Sequence, residues 1–241
     1  MGCGEPFHGP VGEHFLIVAD GQADFSTAER LRALAANRTL IALDGAANFL
    51  WRIGIVPNVA IGDFDSLGRE ARKFLEGQKT EFLPDVGQDT TDLEKALIYL
   101  GGKDCASAAV VHGLGGRPDH ALGNVTFLKK YAKLVRGLSL VTDRGQIRYW
   151  EDVDVVLEAA AGAHCGFFGF PLARVTAIGL RYGMGDYHLE LGVSESVANS
   201  FLGGGARLSV VGQCLAALDR SVRLVADGEI GNEASSSQKR Y

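Results

Sequence analysis

Asp63 and Asp65 close a short apolar run, "AIGDFDSL" (60–67), with only Phe64 between them. Two like charges this close repel each other unless something positive lies between them. In an extended segment, residues two apart face the same side, so both carboxylates can address one ion. Hard oxygen ligands suit Mg²⁺, which keeps several waters and takes one or two carboxylates beside substrate phosphates. The other reading of the pair is a surface turn, with Asp63 capping a helix that starts near Leu67.

Three more clusters could do chemistry. In "GQDTTDLEKA", Gln88, Asp89 and Asp92 surround a helix start at Thr91. Asp92 either complements the helix dipole or adds a third carboxylate to the metal site. Thr91 and Glu94 carry the signature of a capping box. Lys95 reads as a solvated helix residue, one turn in and within approach of a phosphate. In "HGLGGRPDHALGN" (112–124), Gly113, Gly115 and Gly116 allow close backbone approach. Arg117 offers a planar fork for phosphate oxygens, and Asp119, His120 and Asn124 fall on the opening turns of the next helix. The plainer reading is a tight strand-to-helix turn with Asp119 as its cap. The stretch is neither a G-x-x-x-x-G-K-[ST] loop nor a G-x-G-x-x-G fingerprint, because Pro118 interrupts the latter. In "LDGAANFL", Asp44 and Gly45 open a helix of small residues, either a simple glycine turn or a surface on which a nucleotide can lie. Together these residues suit transfer of a phosphoryl-type group, where catalysis is mostly positioning and charge neutralisation.

The elements that must position them alternate regularly through the first 145 residues. Apolar runs at "FLIVAD", "TLIALD", "NVAIGD", "EFLPD", "AAVVHG" and "LSLVTD" are separated by stretches with helical spacing, such as "STAERLRALAANR" and "HALGNVTFLKKYAKLV". Near-continuous apolar strands alternating with amphipathic helices predict a parallel sheet covered on both faces, a three-layer α/β domain. Five of the six runs end on an aspartate: Asp20, Asp44, Asp63, Asp85 and Asp143. In such a sheet these are all carboxyl ends on one edge, where ligands bind. After about residue 146 helical spacing fades and glycine becomes frequent. Short segments such as "QIRYWED", "VDVVLEA", "HCGFFGF", "RVTAIGLRYG", "ARLSVVGQ" and "CLAALD" predict a smaller antiparallel β-sandwich or barrel. The expected layout is an α/β domain over 1–145, a β-sandwich over 146–228 and a polar tail over 229–241.

Composition excludes several function classes. A net charge of −5 over 241 residues argues against nucleic acid or an anionic membrane as the main partner. No apolar run reaches the ~18 residues of a membrane span, and the first residues lack the pattern of a secretion signal. Cys3, Cys105, Cys165 and Cys214 are scattered without zinc-ligand or redox spacing, which reads as free thiols in a reducing compartment. Cytoplasm is the expected location.

The order "DGAAN … PNVAIGDFDSL … QDTTDLEKAL … GGRPDHALGN" resembles the thiamin pyrophosphokinase family across the first domain. The second domain resembles it through "GLRY" (179–182) and "VANSF" (197–201). The resemblance implies an ATP-binding α/β domain joined to a β-sandwich and working as a homodimer with composite active sites. Mg²⁺ is the implied metal, ATP the co-substrate and thiamin the acceptor, giving thiamin diphosphate and AMP. Matched by motif, Asp63, Asp65 and Asp92 are the implied magnesium and phosphate site. Gln88 and Asp89 belong to the part shared with thiamin. Arg117, Asp119 and His120 face the phosphates, with Gly115 and Gly116 beside them. Asp44 and Gly45 lie against ATP, and Asn199 and Ser200 approach the thiamin pyrimidine. The family often has Ser-Asn where this chain has Ala198-Asn199, so a hydroxyl there comes from Ser196 or Ser200 or is missing. An aromatic wall would use Tyr182, Tyr187 or Phe201. Two other readings share these motifs: a pyrophosphokinase acting on another hydroxymethyl heterocycle such as a pterin, and a non-catalytic binder of a nucleotide or thiamin diphosphate.

Overall fold

The computed structural model describes residues 13–21, 28–84 and 89–229. Gln88, Asp85, Cys3 and residues 230–241 lie outside it. The chain divides into two compact units, one ending at Asp143 and one beginning at Arg144.

The first unit alternates strand and helix. Its elements are β1 (Glu13–Val18), α1 (Ala28–Ala35), β2 (Thr39–Leu43), α2 (Ala46–Arg52), β3 (Val59–Gly62), α3 (Arg69–Gly77), β4 (Glu81–Pro84), α4 (Asp92–Gly101), β5 (Cys105–Val111), α5 (Pro118–Lys130) and β6 (Ser139–Val141). All strand pairings in this unit are parallel, in the order β6-β5-β1-β2-β3-β4. The middle strands are buried along nearly their whole length, as a sheet covered on both faces requires. Leu16, Val18, Leu40, Ala42 and Ala60 pack with Leu31, Ala47, Leu50, Ala71 and Leu75 from the helices. From β1 the chain winds outward through β2, β3 and β4, then returns to lay β5 on the other side of β1. The order therefore reverses between β1 and β5, and a crevice opens there beyond the strands' carboxyl ends.

Helix termini follow the sequence signals. Thr91 caps α4 by accepting from the Glu94 amide, while the Glu94 carboxylate accepts from the Thr91 amide, completing the capping box. Pro118 occupies the first turn of α5, where its missing N–H costs nothing.

The second unit is antiparallel. It comprises β7 (Gly145–Ala159), β8 (His164–Ile178), β9 (Met184–Glu190), β10 (Glu195–Ser200), β11 (Gly204–Asp219) and β12 (Arg223–Glu229). The sequence suggested many short strands; instead β7, β8 and β11 each run 15 or 16 residues. The turn signals between the supposed strands are irregularities inside continuous ladders. Asp152 and Gly212 both have positive φ, the Gly212 amide donates to Asp152 Oδ1 at 2.7 Å, and the register shifts between Val210 and Gln213. One half of these strands pairs with β10, the other with β9 and β12. Leu157, Phe167, Val175, Leu189, Phe201 and Val210 form a single core.

Candidate active site

A cavity of about 630 Å³ occupies the carboxyl edge of the first unit's sheet. The ends of β1, β2, β3 and β5 and the first turns of α4 and α5 all contribute to its wall.

Asp44, Asp63 and Asp65 bring carboxylate oxygens within 4.8 Å of one another. Asp44 follows β2 in a left-handed conformation (φ 38°), and its amide donates to Ile61 O at 2.9 Å. Gly62 lets this happen. A side chain at Gly62 (φ 151°) would begin 3.0 Å from Asp44 Cβ. Asp44 Oδ2 accepts from Ser66 Oγ at 2.7 Å, while Oδ1 is buried and has no hydrogen-bond partner among the described residues. The repulsion of Asp63, then the loss of solvent, then Asp44 raise the Asp65 carboxyl above its ordinary value. A buried, unsatisfied carboxylate oxygen beside two exposed, mutually repelling carboxylates fits a hard divalent cation.

The pair 63/65 converges for a different reason from the one its spacing suggested. β3 ends at Gly62, so the segment is a turn and not extended. Phe64 takes φ 60° and is buried, edge-on to Phe82 at 5.3 Å, with the Arg72 guanidinium over both rings at 6.0 and 5.5 Å. With Phe64 anchored inward, the flanking carboxylates stay exposed, and the Asp65 amide donates to Asp63 Oδ1 at 3.1 Å. Asn48 of α2 braces the segment that follows, donating to Ser66 O and accepting from the Gly68 amide, both at 2.9 Å.

The sequence reading grouped Asp63 and Asp65 with Asp92. Among the described residues the three that converge include Asp44 in place of Asp92. Asp92 opens α4 on the cavity wall, and its Oδ1 accepts from Lys95 Nζ at 2.9 Å. Lys95 is not solvated as its sequence position suggested: its side chain is 13% exposed. Asp89 is exposed; Thr90 beside it lines the cavity.

Asp20, which the sequence marks only as a strand end, also lines the cavity. It keeps an open side to solvent, but packing against the wall, followed by the charges of Asp44 and Asp92, pushes its carboxyl up. Its carboxylate fills the space over Gly45, where an added Cβ would lie 2.4 Å from Asp20 Oδ2. Gly45 therefore makes room for Asp20. Asp143, another strand-end aspartate, is paired with Arg30 of α1 at 2.6 Å.

The loop after β5 forms another part of the wall. His112 is buried with φ 59° and meets Phe49 edge-on at 5.1 Å; burial lowers its pKa against the opposing pull of Asp143. Asn124 Nδ2 donates to Gly113 O at 2.7 Å and ties the loop to α5. Gly115, Gly116, Arg117 and His120 all border the cavity. Arg117 grips Asp119 with two bonds, Nε to Oδ1 at 3.1 Å and a terminal nitrogen to Oδ2 at 2.6 Å, in the open. Asp119 thus orients the guanidinium, and each holds the other in its charged form.

Asn199 and Ser200 lie on β10 in the second unit. Asn199 is buried, and both ends of its amide are in use. Nδ2 donates to Tyr182 O at 2.8 Å and to Ser196 Oγ at 3.4 Å, while Oδ1 accepts from the amides of Tyr182 and Ser200 at 3.1 and 2.9 Å. Its immediate effect is to fix Tyr182, which is 60% exposed. Phe201 is core and forms no wall; Tyr182 and Tyr187 are the exposed aromatics of the three considered.

Comparison with known proteins bears on this arrangement. The model of the thiamin pyrophosphokinase catalytic domain matches residues 31–138. Thiamin pyrophosphokinase 1 of Caenorhabditis elegans is 31% identical over 180 residues, covering 66% of this chain and 70% of that protein. The thiamine pyrophosphokinase of Bacillus subtilis is 26% identical, covering 67% of this chain and 78% of that protein. The chain spans 60% of the length of rice thiamine pyrophosphokinase 1, at 29% identity. In fold, the crystal structure of the Bacillus subtilis protein superposes with a TM-score of 0.76 at 24% identity, over 86% of this chain and 99% of that one. Thiamin pyrophosphokinase from Candida albicans gives 0.76 at 14% identity, over 87% and 89%. With the worm relative's identity extending over more than two thirds of its length, and the catalytic-domain match spanning α2 to α5, the chain belongs to the thiamin pyrophosphokinase family.

Proposed function

We infer that this protein transfers the diphosphoryl group of ATP to the hydroxyl of thiamin, giving thiamin diphosphate and AMP. The observation that carries the reading is the trio Asp44, Asp63 and Asp65, with an unpartnered buried oxygen on Asp44, of which Asp44 and Asp63 line the same cavity as Arg117 and His120. The relatives named above support thiamin as acceptor.

Asp44, Asp63 and Asp65 would hold Mg²⁺. Bound there, the ion would neutralise phosphate charge and orient the polyphosphate. The chain's own groups do the rest. Arg117, steered by Asp119, presents a fork to phosphate oxygens from the glycine-rich loop. His120, one turn on, faces the same space. Gly115 and Gly116 keep the loop thin enough for backbone N–H groups to reach a phosphate. Asp44 was expected against ATP; in this reading it serves through the cation, and Asp20 fills the space over Gly45.

The layout fits a nucleotide-handling α/β domain followed by a sandwich that presents the acceptor through Tyr182, Ser200 and their Asn199 brace. Exposed Ile178, Tyr182, Val193, Val197 and Leu202 in the second unit support pairing into a homodimer with composite sites. Among the described residues no helix is long and apolar enough to cross a membrane.

The test is acceptor choice. Purified protein with ATP and Mg²⁺ is offered thiamin or a hydroxymethyl pterin, and AMP is measured. AMP formation dependent on thiamin is expected; dependence on the pterin instead, or on neither, would overturn the assignment.

A further inference from the structure

We propose that Lys95 is a phosphate-contacting catalytic residue, held by Asp92 until the nucleotide's phosphates take the ammonium from that carboxylate. The proposal rests on the diphosphoryl-transfer reading of the cavity and adds a residue to it. Lys95 stands one turn into α4, and its side chain lines the same cavity as Asp63, Arg117 and His120. At 13% exposure its charge is far less screened than that of Arg117, whose side chain is 72% exposed. The helix holds it there. Leu93, Ala96 and Leu97 on either side are buried, and the capping box fixes the helix start.

Charge favours the exchange. Asp20, Asp44, Asp63 and Asp92 line the cavity, and among its described lining residues the lysine and arginine cations are Lys95 and Arg117. Arg117 already has Asp119 outside the carboxylate cluster. A polyphosphate entering this acidic space needs positive groups pointing inward, and Lys95 is the less exposed of the two. Its pairing with Asp92 is weak competition. Asp92 is an i,i+3 neighbour with 35% of its side chain exposed, and pairs of that kind contribute little. A polyphosphate offers more charge and more acceptor oxygens. The exchange releases the Asp92 carboxylate into the cavity at the moment the nucleotide arrives.

A Lys95 whose role were to neutralise Asp92 would lose that role once the carboxylate is removed. A double-mutant cycle separates the two roles. ATP and AMP binding are measured by titration calorimetry with Mg²⁺ and no acceptor, so nothing turns over and the result stands apart from the thiamin assignment. Lys95→Gln is expected to weaken ATP by about tenfold or more, the size of a lost charged hydrogen bond, and AMP by less than about threefold. The ATP loss should persist when Lys95→Gln is added to Asp92→Asn, and Lys95→Arg should largely retain ATP binding. If Lys95→Gln alone fails to fold with Asp92 unpaired, the two proteins carrying Asp92→Asn supply the comparison. Equal weakening of ATP and AMP, or no cost of Lys95→Gln in the Asp92→Asn background, would overturn the proposal.

Discussion

The Asp65 amide donates a hydrogen bond to the Asp63 carboxylate at 3.1 Å, so the two acids sit on a turn and not on a strand. The turn holds two like charges together at a cost that a cation would remove. Without metal, Asp65→Asn relieves repulsion from Asp63 and Asp44 and should melt at or above the wild-type temperature. With Mg²⁺ or Mn²⁺ added, wild type should gain melting temperature and Asp65→Asn should not. An equal metal-dependent gain in both proteins would remove Asp65 from the site.

Phe64 is the pivot of that turn. Phe64→Ala empties a buried site against Phe82 and Arg72 and should cost about 3–5 kcal/mol in urea unfolding. Phe64→Leu should cost less and keep more activity. Activity lost equally in both, with stability unchanged, would contradict the anchoring role.

Glu94 supports the site from behind. Its Oε1 accepts from Tyr131 Oη at 2.9 Å and from Lys130 Nζ, while Oε2 closes the α4 capping box. Glu94→Ala should cost about 2–4 kcal/mol, combining a lost cap with an orphaned buried hydroxyl. Burial alone would raise this carboxyl, but the bonds from Lys130, Thr91 and Tyr131 outweigh it and the net shift is downward. A depressed folded pKa contributes stability that is present above the ordinary glutamate range and lost as pH falls through the lower folded value. The stability gap between wild type and Glu94→Gln should therefore shrink on acidification below about pH 4. A gap that widens in acid would reverse the sign of the shift.

Arg117→Lys keeps the charge but not the two-bond grip on Asp119. It should lower kcat more than it weakens ATP binding. A change confined to the KM for ATP would make Arg117 a ground-state binder.

The parallel sheet was legible because a strand buried on both faces must read as a continuous apolar run, as "TLIAL" and "FLIV" do. So was the capping box at Thr91, which depends on residues three apart. Asp44 was harder. It lies 22 residues from its Ser66 partner, and its place in the acidic trio depends on a positive φ and on Gly62. Asp92 pairs with Lys95 through a side-chain contact that spacing permits but does not require. In the second unit, Asp152 and Gly212 looked like strand ends because bulges and turns use the same residues.

Product identity tests the central claim most directly. Wild-type protein given ATP, thiamin and Mg²⁺ should form AMP and thiamin diphosphate in equal amounts by chromatography. Asp63→Asn, with a native melting curve, should form neither at an appreciable rate. ADP with thiamin monophosphate, no product from wild type, or near-normal turnover by Asp63→Asn would contradict transfer of a diphosphoryl group at the Asp44–Asp63–Asp65 site.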